Sequence, residues 1–308
     1  MAPAAEKTLL CVVGPTAIGK TAAGIALARY LDTEILSADS RQFYREMNIG
    51  TAKPSPQELA AVPHHFINSH SLTDVYSAGD FERDALRLLS ELFADREVVL
   101  LVGGSGLFVD AVCRGLDHLP QPLPGVRDRL NSVYEKEGLH CLQERLKAVD
   151  PVYFREVDIH NPQRIIRALE VYESTGKPFS SYRRQQRQER AFRVRKIGLN
   201  MDRQQLYRRI DARVDAMMEA GLLDEVTALL PYRDLPPLQS VGYAELFDYL
   251  DGRYPFDEAV ARIKQNTRRY AKRQLTWFRK DTATAWYESA DVQGMKAYVD
   301  REIRQSTR

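Results

Sequence analysis

The stretch Thr8–Thr21, TLLCVVGPTAIGKT, decides the fold prediction. Its apolar first half, Thr8–Val13, reads as a buried strand, and its second half has the spacing G-x-x-x-x-G-K-T. The residues that follow, Ala22–Leu31, place apolar side chains at helical spacing. A glycine loop between a strand and a helix is typical of sites for di- or triphosphate groups, because backbone N–H groups and the helix N-terminus attract anions.

The loop itself supplies the candidate phosphate ligands. Its glycines let backbone N–H groups close on phosphate oxygens, Lys20 adds a full positive charge, and the Thr21 hydroxyl can reach a magnesium ion. The alternative is a structural glycine turn in which the lysine occurs by chance. The candidate cofactor-binding residues are Gly14, Pro15, Thr16, Ala17, Ile18, Gly19, Lys20 and Thr21, and Thr21 is also the candidate magnesium ligand.

The segments after the loop alternate between strand and helix patterns. Glu34–Ser40 reads as a second strand, His64–His70 as a short third strand and Asp80–Arg96 as an amphipathic helix. Glu97–Gly104 is a continuous apolar run of the kind found in parallel sheets. This alternation predicts an α/β protein with a doubly wound parallel sheet flanked by helices.

The pattern changes after Gly115. Leu116–Gly125 contains three prolines, and helical segments then continue to about Arg190 without a strong strand. We therefore expect an inserted all-helical subdomain. The predicted boundaries are 1–115 for the first part of the core, 116–191 for the insertion and 192–308 for the completion of the core with C-terminal helices.

Two elements are predicted in the last part of the core. Arg193–Asn200 reads as a strand that returns to the sheet. Leu206–Leu230 has helical periodicity throughout and is predicted as one long amphipathic helix that Pro231 stops. Further helices are expected after Pro231.

The composition favours a globular protein in a reducing compartment. A chain of 308 residues with 44% hydrophobic content can bury a large core, and no apolar run reaches the roughly 18 residues of a membrane span. The three cysteines, Cys11, Cys113 and Cys141, are widely spaced, which favours inert thiols over disulfides or a zinc site. We expect a cytoplasmic monomer without membrane contact.

Basic residues are concentrated in two stretches, although the net charge is only +2. Arg183–Lys196 holds seven basic residues and one acid, and Arg262–Lys280 holds eight basic residues and no acid. Each stretch alone could be a solvated helix face. Together they favour a partner that is rich in phosphate.

The predicted second strand delivers Asp39 to its carboxyl end. Because parallel strands border the ligand crevice at their carboxyl ends, this carboxylate could take a proton from a nucleophile. The alternative is that it caps a helix or holds magnesium indirectly. Phosphoryl-transfer enzymes often place an acid after a buried strand, but Glu97–Gly104 is followed by serine and glycine.

Six motifs resemble one enzyme family, and they occur in that family's order from Val12 to about Trp286. They are GPTAIGKT, SADSRQFYREMNIGTAKP, LLVGGSGLF, NPQRIIRALEVYESTGKP, SVGYAE and YAKRQLTWFRK. Through these motifs the chain resembles the bacterial tRNA dimethylallyltransferases, which modify adenosine 37 beside the anticodon.

The resemblance implies a P-loop kinase-like core with a helical insertion, Mg2+ as the cofactor and dimethylallyl diphosphate as the donor. The prenyl group would pass to N6 of the adenosine in the tRNA anticodon stem-loop while diphosphate leaves. The loop would then hold the leaving diphosphate, with N–H dipoles, Lys20 and magnesium stabilising its developing charge.

The resemblance also implies roles for individual residues. Asp39 matches a general base that accepts a proton from the exocyclic amine, Thr16 a position in the donor loop, and Arg213 an arginine that reaches the diphosphate. The implied catalytic residues are Asp39, Thr16, Lys20 and Arg213. The implied tRNA contacts are Asp39, Ser40, Arg41, Gln42, Ser105, Arg127, Gln163, Arg164, Ile165, Ile166, Arg167, Gln239, Ser240, Val241, Gly242, Tyr243, Ala244, Lys272, Arg273, Gln274, Leu275, Thr276, Trp277, Phe278 and Arg279.

Aromatic residues within the second basic stretch fit a nucleic-acid partner. Tyr270, Trp277 and Phe278 could stack on unstacked bases, and core packing is the alternative role. The target adenine must leave the stacked loop to reach a buried donor, so base flipping is implied.

Three other functions fit parts of the pattern. An adenylate isopentenyltransferase, which prenylates free adenine nucleotides, would use a similar loop and aspartate but would need less RNA-binding surface. A P-loop small-molecule kinase would turn over ATP. A non-catalytic RNA-binding protein would leave Asp39 beside the loop without a role.

Overall fold

The computed structural model describes residues 7–117, 119–183 and 188–304. The chain divides into two compact units, one formed by Met1–Arg114 with Glu189–Arg308 and the other by Gly115–Gln188. The second unit covers most of the segment 116–191 that the sequence predicts as an insertion.

A parallel sheet forms the centre of the first unit. Its strands are β1 (Thr8–Val13), β2 (Ile35–Ser37), β3 (His64–His65), β4 (Val98–Gly103), β5 (Arg193–Asn200) and β6 (Ala285–Glu288). The strand order is β3-β2-β4-β1-β5-β6, and each neighbouring pair is parallel. Parallel neighbours that are distant in sequence require crossover connections, which here contain helices.

Strand β1 lies inside the sheet, between β4 and β5, and is buried on both faces. Because successive side chains of a strand point to opposite faces, Leu9 and Cys11 enter one hydrophobic cluster while Leu10 and Val12 enter another. Two cores on the two faces of one sheet are the doubly wound arrangement that the sequence predicts. The α/β fold prediction is therefore confirmed.

Some of the helices pack on the sheet within the first unit, and others form the second unit. Their bounds are α1 (Lys20–Leu31), α2 (Pro56–Ala61), α3 (Ala78–Asp95), α4 (Gly106–Arg114), α5 (Val126–Glu137), α6 (Leu139–Val149), α7 (Pro151–Glu156), α8 (Pro162–Thr175), α9 (Arg203–Glu219), α10 (Leu222–Ala228), α11 (Tyr243–Leu250), α12 (Phe256–Phe278) and α13 (Val292–Val299). Within the described part of the chain, none of these helices is long and apolar enough to cross a membrane.

The predicted single helix Leu206–Leu230 is wrong, because two helices occupy this segment. Helix α9 ends at Glu219 and α10 begins at Leu222. Gly221 between them has a φ of +93°, in the left-handed region that glycine adopts readily. A residue with left-handed backbone geometry ends a helix. The apolar periodicity therefore continues through the segment although α9 and α10 are separate helices.

Strand β6 is absent from the sequence prediction, which expects only helices after Pro231. Its four residues pair with β5, so that Trp286 lies opposite Gly198. A Cβ at Gly198 would lie 2.7 Å from the Trp286 ring. The strand is too short to show an alternating pattern, and its place depends on packing that the local sequence does not encode.

The second unit is all-helical in its described residues, as predicted. Helices α5, α6 and α8 bury a compact cluster that includes Leu130, Leu142 and Ile165. Helix α8 begins with the signals expected for a helix start, since Pro162 is its first residue and the Asn161 side chain accepts a 3.3 Å hydrogen bond from the backbone N–H of Arg164.

Candidate active site

Glycines shape the loop between β1 and α1. Gly14 and Gly19 have φ values of +153° and +105°, which residues with a Cβ rarely adopt. A Cβ at Gly14 would also lie 3.1 Å from the carbonyl oxygen of Leu199 on β5. The loop therefore packs closely on the carboxyl end of the sheet and leads into the N-terminus of α1. This is the arrangement in which backbone N–H groups and a helix dipole attract phosphate.

Lys20 is the first residue of α1, and its ammonium lies against the loop. Its Nζ donates a 2.8 Å hydrogen bond to the carbonyl oxygen of Pro15. Burial lowers the pKa of Lys20 to about 8, an effect that the Asp39 carboxylate opposes and Arg213 increases. Because an anionic partner favours the charged form of a buried lysine, a bound diphosphate would raise this pKa again.

Asp39 lies in a turn that starts two residues after β2. Its Oδ1 accepts a 3.0 Å hydrogen bond from the backbone N–H of Arg41, and the Ser105 hydroxyl accepts a 3.0 Å bond from the N–H of Ser40. A carboxylate that bonds the N–H two residues ahead stabilises a turn. No described helix begins here, so the structure does not support the helix-cap alternative.

Two cavities of the first unit meet at Asp39. The first cavity has a volume of about 330 Å³ and includes the glycine loop and the start of α1. The second cavity, of about 400 Å³, includes residues of α9 and α12 and the loop before α11. The residues that line both are Thr16, Asp39, Thr51, Ala52 and Arg213. Groups bound in the two cavities would therefore meet beside the Asp39 carboxylate.

Positive charge dominates the first cavity. Its lysines and arginines are Lys20, Lys53, Arg209 and Arg213, and its carboxylates are Asp39 and Glu58. Burial lowers the pKa of Arg213, and the neighbouring Arg209 lowers it further. Burial also lowers the pKa of Lys53 to about 8. Crowded cations are stabilised by an anion, so the cavity is suited to a diphosphate.

The second cavity combines an apolar wall with a few polar groups. Its apolar lining includes Val214, Met217, Leu222, Val241 and Ile263. On its polar side the Arg273 guanidinium lies 5.7 Å from the ring centroid of Tyr270. Burial raises the pKa of Tyr270 to about 12, and the Asp39 charge adds to the effect, so the hydroxyl stays neutral. Such a cavity suits a flat heterocycle that stacks on one face and bonds at its edge.

Most predicted site residues of the first unit lie around these cavities. Lys20, Thr21 and Gln42 line the first cavity. Predicted tRNA contacts that line the second cavity are Asp39, Ser40, Arg41, Gln239, Ser240, Val241, Gly242 and Arg273. Gln42 also supports Thr51 and Ala52, which line both cavities, because its Nε2 donates 3.2 Å hydrogen bonds to their carbonyl oxygens.

Five predicted tRNA contacts have buried side chains instead. Tyr243, Gln274 and Phe278 are at most 7% exposed in the first unit, and Ile165 and Ile166 are fully buried in the second. Such side chains offer little or no surface to a nucleic acid, so a tRNA contact at these positions would have to be made by the backbone. Buried and exposed positions alternate along an amphipathic helix, so a contiguous motif contains both kinds.

The exposed predicted contacts of α12 lie on one basic surface. Arg269, Lys272, Arg273, Thr276, Trp277 and Lys280 line a shallow groove, which we call the α12 groove. Arg279 makes other contacts, since its guanidinium lies 3.3 Å from Oδ1 of Asn200 and 5.8 Å from the Trp286 ring. The remaining predicted positions, Ser105, Ala244 and Leu275, are partly buried.

In the second unit, a buried carboxylate holds two of the predicted contacts. Glu170 is 2% exposed and accepts two hydrogen bonds from Arg127, of 2.9 and 3.0 Å, and one of 2.7 Å from Arg167. These bonds hold the pKa of Glu170 below its usual value although burial alone would raise it. Gln163 and Arg164 are exposed at the start of α8. The two anchored guanidiniums remain partly accessible to an anion.

The described residues of the first basic stretch, 183 and 188–196, form no helix, so the helix-face interpretation is wrong for them. Residues 184–187 of it lie outside the described residues. Arg190 donates a 2.6 Å hydrogen bond to Glu82, and Lys196 is buried in β5, with Nζ 3.0 Å from Asp281 and 3.5 Å from Asp110. Arg190 belongs to the connection before β5 and Lys196 to β5 itself, and both side chains are paired with acids.

Two cations of the first cavity were missed by the sequence analysis. Arg209 lies four residues before Arg213 on α9, a spacing that places both on one helix face and could have revealed it. Lys53 belongs to the motif SADSRQFYREMNIGTAKP, and its Nζ donates hydrogen bonds to the Tyr44 carbonyl oxygen at 2.7 Å and to Oδ1 of Asn68 at 2.6 Å.

The donor set of the first cavity is compatible with magnesium. No group of three or more His, Cys, Asp or Glu side chains among the described residues forms a complete metal site. Magnesium often takes only one or two protein ligands and completes its shell with substrate phosphates and water. The Thr21 hydroxyl, which lines the cavity beside Lys20, fits that requirement.

The parallel sheet, the glycine loop and the cation-rich cavity are typical of an α/β enzyme that binds a phosphorylated ligand, and here a second cavity adjoins that site. The chain belongs to the IPP transferase family, whose model matches residues 42–281. It is 51% identical over 296 residues to a tRNA dimethylallyltransferase of Christiangramia forsetii, covering 96% of this chain and 98% of the relative. A tRNA dimethylallyltransferase 1 of Bacteroides thetaiotaomicron is 49% identical over 280 residues, with 91% of each chain covered.

Solved structures agree with this assignment. The tRNA isopentenylpyrophosphate transferase of Bacillus halodurans matches with a TM-score of 0.72 and 36% identity, covering 97% of this chain and 98% of that chain. A eukaryotic dimethylallyltransferase acting on tRNA matches with a TM-score of 0.80 over 98% of this chain and 80% of that chain. At 23% identity, the second match supports the fold alone.

Proposed function

We propose that this protein transfers a dimethylallyl group from dimethylallyl diphosphate to N6 of adenosine 37 in the anticodon loop of tRNA. The allylic C–O bond of the donor breaks, a C–N bond forms, and diphosphate leaves. One observation carries the proposal: Thr16 and Asp39 line both a cation-rich cavity and a second cavity suited to a base. Family membership and the names of the relatives agree with it.

The first cavity would hold the diphosphate end of the donor. Cleavage of the C–O bond places negative charge on the leaving group, and the loop N–H groups, Lys20 and Arg213 would stabilise that charge. Magnesium held by Thr21 would neutralise further charge on the diphosphate oxygens. The prenyl carbon that is attacked would then lie at the border of the two cavities, beside Asp39.

Asp39 would accept the proton that the exocyclic amine loses. An exocyclic amine is a weak nucleophile, so orientation and a positioned base must supply much of the rate. The backbone N–H of Arg41 bonds one carboxylate oxygen and fixes the direction of the group. The proton passes from N6 to Asp39 as the new C–N bond forms.

The second cavity would receive the adenine after it has left the anticodon stack. Unstacking a base costs a few kcal/mol, which contacts to the phosphate backbone must offset. The α12 groove supplies cations and the exposed Trp277 on the same unit as the cavity. This exposed basic surface favours tRNA over a free adenine nucleotide, which would need only the cavity.

Incubation with unmodified tRNA and radiolabelled dimethylallyl diphosphate, followed by nucleoside analysis, tests the proposal. Prenylated adenosine should form with wild-type protein, and its rate of formation should fall by about 100-fold or more with Asp39→Ala. AMP is offered in parallel as the acceptor, and ATP turnover is measured without tRNA. Prenylation of AMP in place of tRNA would show an adenylate isopentenyltransferase, and rapid ATP turnover without prenylation would show a kinase.

A further inference from the structure

Gln274 is a buried amide within the basic helix α12. It is 7% exposed, whereas its neighbours Lys272 and Arg273 on α12 are exposed to solvent. Burial of a primary amide is unfavourable unless its oxygen and nitrogen both find hydrogen-bond partners. The partners of Gln274 therefore explain why this polar side chain occupies a core position.

The two ends of the Gln274 amide bond two different loops of the sheet. Oε1 accepts a 2.8 Å hydrogen bond from the backbone N–H of Thr16, and Nε2 donates a 2.9 Å bond to the carbonyl oxygen of Gly104. An N–H can only donate and a carbonyl can only accept, so the partners fix the orientation of the amide. Glutamate in its charged form would satisfy the first bond only, and leucine neither.

Thr16 and Gly104, the two residues that Gln274 bonds, lie at or near the proposed site. Thr16 lines both cavities. Gly104 lies close to Lys20, since a Cβ added at Gly104 would lie 3.3 Å from the Lys20 Nζ and 2.4 Å from the Gln274 Nε2. Gln274 thus links the loop after β1 to the turn after β4, close to the Lys20 ammonium.

We propose that Gln274 is a positioning residue that holds the donor loop in its working geometry from helix α12. This inference rests on the proposed function. Held at its N–H, Thr16 keeps its place between the cavities, and Gly104, held at its carbonyl, keeps its place near Lys20. The same helix carries the α12 groove on its exposed face, so one rigid element sets both the tRNA surface and the donor loop. Preorganisation of this kind lowers the cost of binding and orienting the donor.

The test compares Gln274→Leu and Gln274→Asn with wild type in the full-length chain. Leucine removes both hydrogen bonds at similar volume, and asparagine is too short to bond both loops. Gln265→Leu is the matched control, because Gln265 is an exposed glutamine on the same helix. Inorganic pyrophosphate affinity is measured by calorimetry, tRNA affinity by filter binding and kcat with both substrates saturating, all below the unfolding temperature of each variant.

Both Gln274 variants should bind pyrophosphate at least about 5-fold more weakly and show kcat reduced at least about 10-fold, as expected when reacting groups are misplaced. Their tRNA affinity should stay within about twofold, and Gln265→Leu should match wild type throughout.

The proposal is overturned if pyrophosphate affinity and kcat stay within twofold of wild type in either Gln274 variant. Weaker tRNA binding with unchanged pyrophosphate binding would also overturn it, because Gln274 would then be a determinant of RNA binding. If wild-type protein prenylates no tRNA, the proposed function fails, while pyrophosphate binding still tests the role of Gln274.

Discussion

The hydroxyl of Tyr243 donates a 2.6 Å hydrogen bond to Oε1 of Glu225, and the same carboxylate accepts three backbone N–H groups. These belong to Asn48, Ile49 and Gly50, at 3.0, 2.8 and 3.1 Å. A Cβ at Gly50 would lie 2.5 Å from the Tyr243 ring, so only glycine allows this approach. The carboxylate and the ring thus clamp the chain just before Thr51 and Ala52, which form part of the wall between the cavities.

Replacement of Glu225 by Gln should therefore disturb both stability and activity. The amide nitrogen would face N–H donors where a carboxylate oxygen now accepts, so we expect the free energy of unfolding to fall by about 1–3 kcal/mol. We also expect a lower kcat/KM for tRNA, because the wall segment of the second cavity loses its anchor. Urea unfolding and steady-state kinetics measure the two effects. Glu219→Gln, at an exposed position on α9, is the control and should change neither.

The sequence contains the information for the central part of the fold. The strand, glycine loop and helix at Thr8–Leu31 appear as predicted, because buried parallel strands and glycine spacing are local signals. Strand β6 and the break at Gly221 were not predicted. A four-residue strand depends on its neighbour in the sheet, and a glycine within a periodic run does not reveal whether the helix continues through it.

Residues of the candidate site were predictable to different degrees. The glycine loop follows from spacing and Asp39 from its position after the second strand, whereas only the resemblance to tRNA dimethylallyltransferases indicated Arg213. The burial of Gln274 within a basic motif was not visible, because its partners Thr16 and Gly104 lie more than 100 residues away in sequence. Tertiary hydrogen bonds of this kind leave no periodic signal.

Asp39→Ala should lower kcat by about 100-fold or more, the range expected for the loss of a general base. Affinity for tRNA and pyrophosphate should stay near wild type, because the carboxylate acts on the proton and not on the phosphates. Single-turnover prenylation and filter binding measure the two properties. Asp39→Asn keeps the volume and should be nearly as slow as Asp39→Ala. Turnover within a few-fold of wild type in both variants would remove Asp39 from the mechanism.

The charge of Lys20 should make pyrophosphate binding depend on pH. Its pKa of about 8 means that the lysine is charged below pH 8 and increasingly neutral above it. Anion binding needs the charged form, so the advantage of wild type over Lys20→Gln should be large at pH 7 and shrink between pH 8 and 9.5. The ratio of the two affinities cancels the titration of pyrophosphate itself. A ratio that stays constant over this range would contradict the role of Lys20.

Arg209 should contribute to diphosphate binding although the motifs did not indicate it. Arg209→Ala should weaken pyrophosphate binding by about 2 kcal/mol, within the roughly 1.5–3 kcal/mol expected for a hydrogen bond to a charged group. Arg208→Ala is the matched control, because Arg208 is exposed on α9 and does not line the first cavity. Calorimetry with inorganic pyrophosphate compares them, and equal affinities for both variants would exclude Arg209 from the site.

The α12 groove should bind tRNA phosphates through Lys272 and Lys280. Each phosphate contact releases counterions, so replacing both lysines by Ala should make the slope of log K against log salt shallower by about one to two units. The control is the double variant Arg83→Ala, Arg87→Ala, whose exposed arginines on α3 are already paired with Asp80 and Asp84. Filter binding across a salt series measures this slope for the lysine variant and for the arginine control. An unchanged slope in the lysine variant, or an equal change in the arginine control, would show that tRNA phosphates do not bind specifically at this groove.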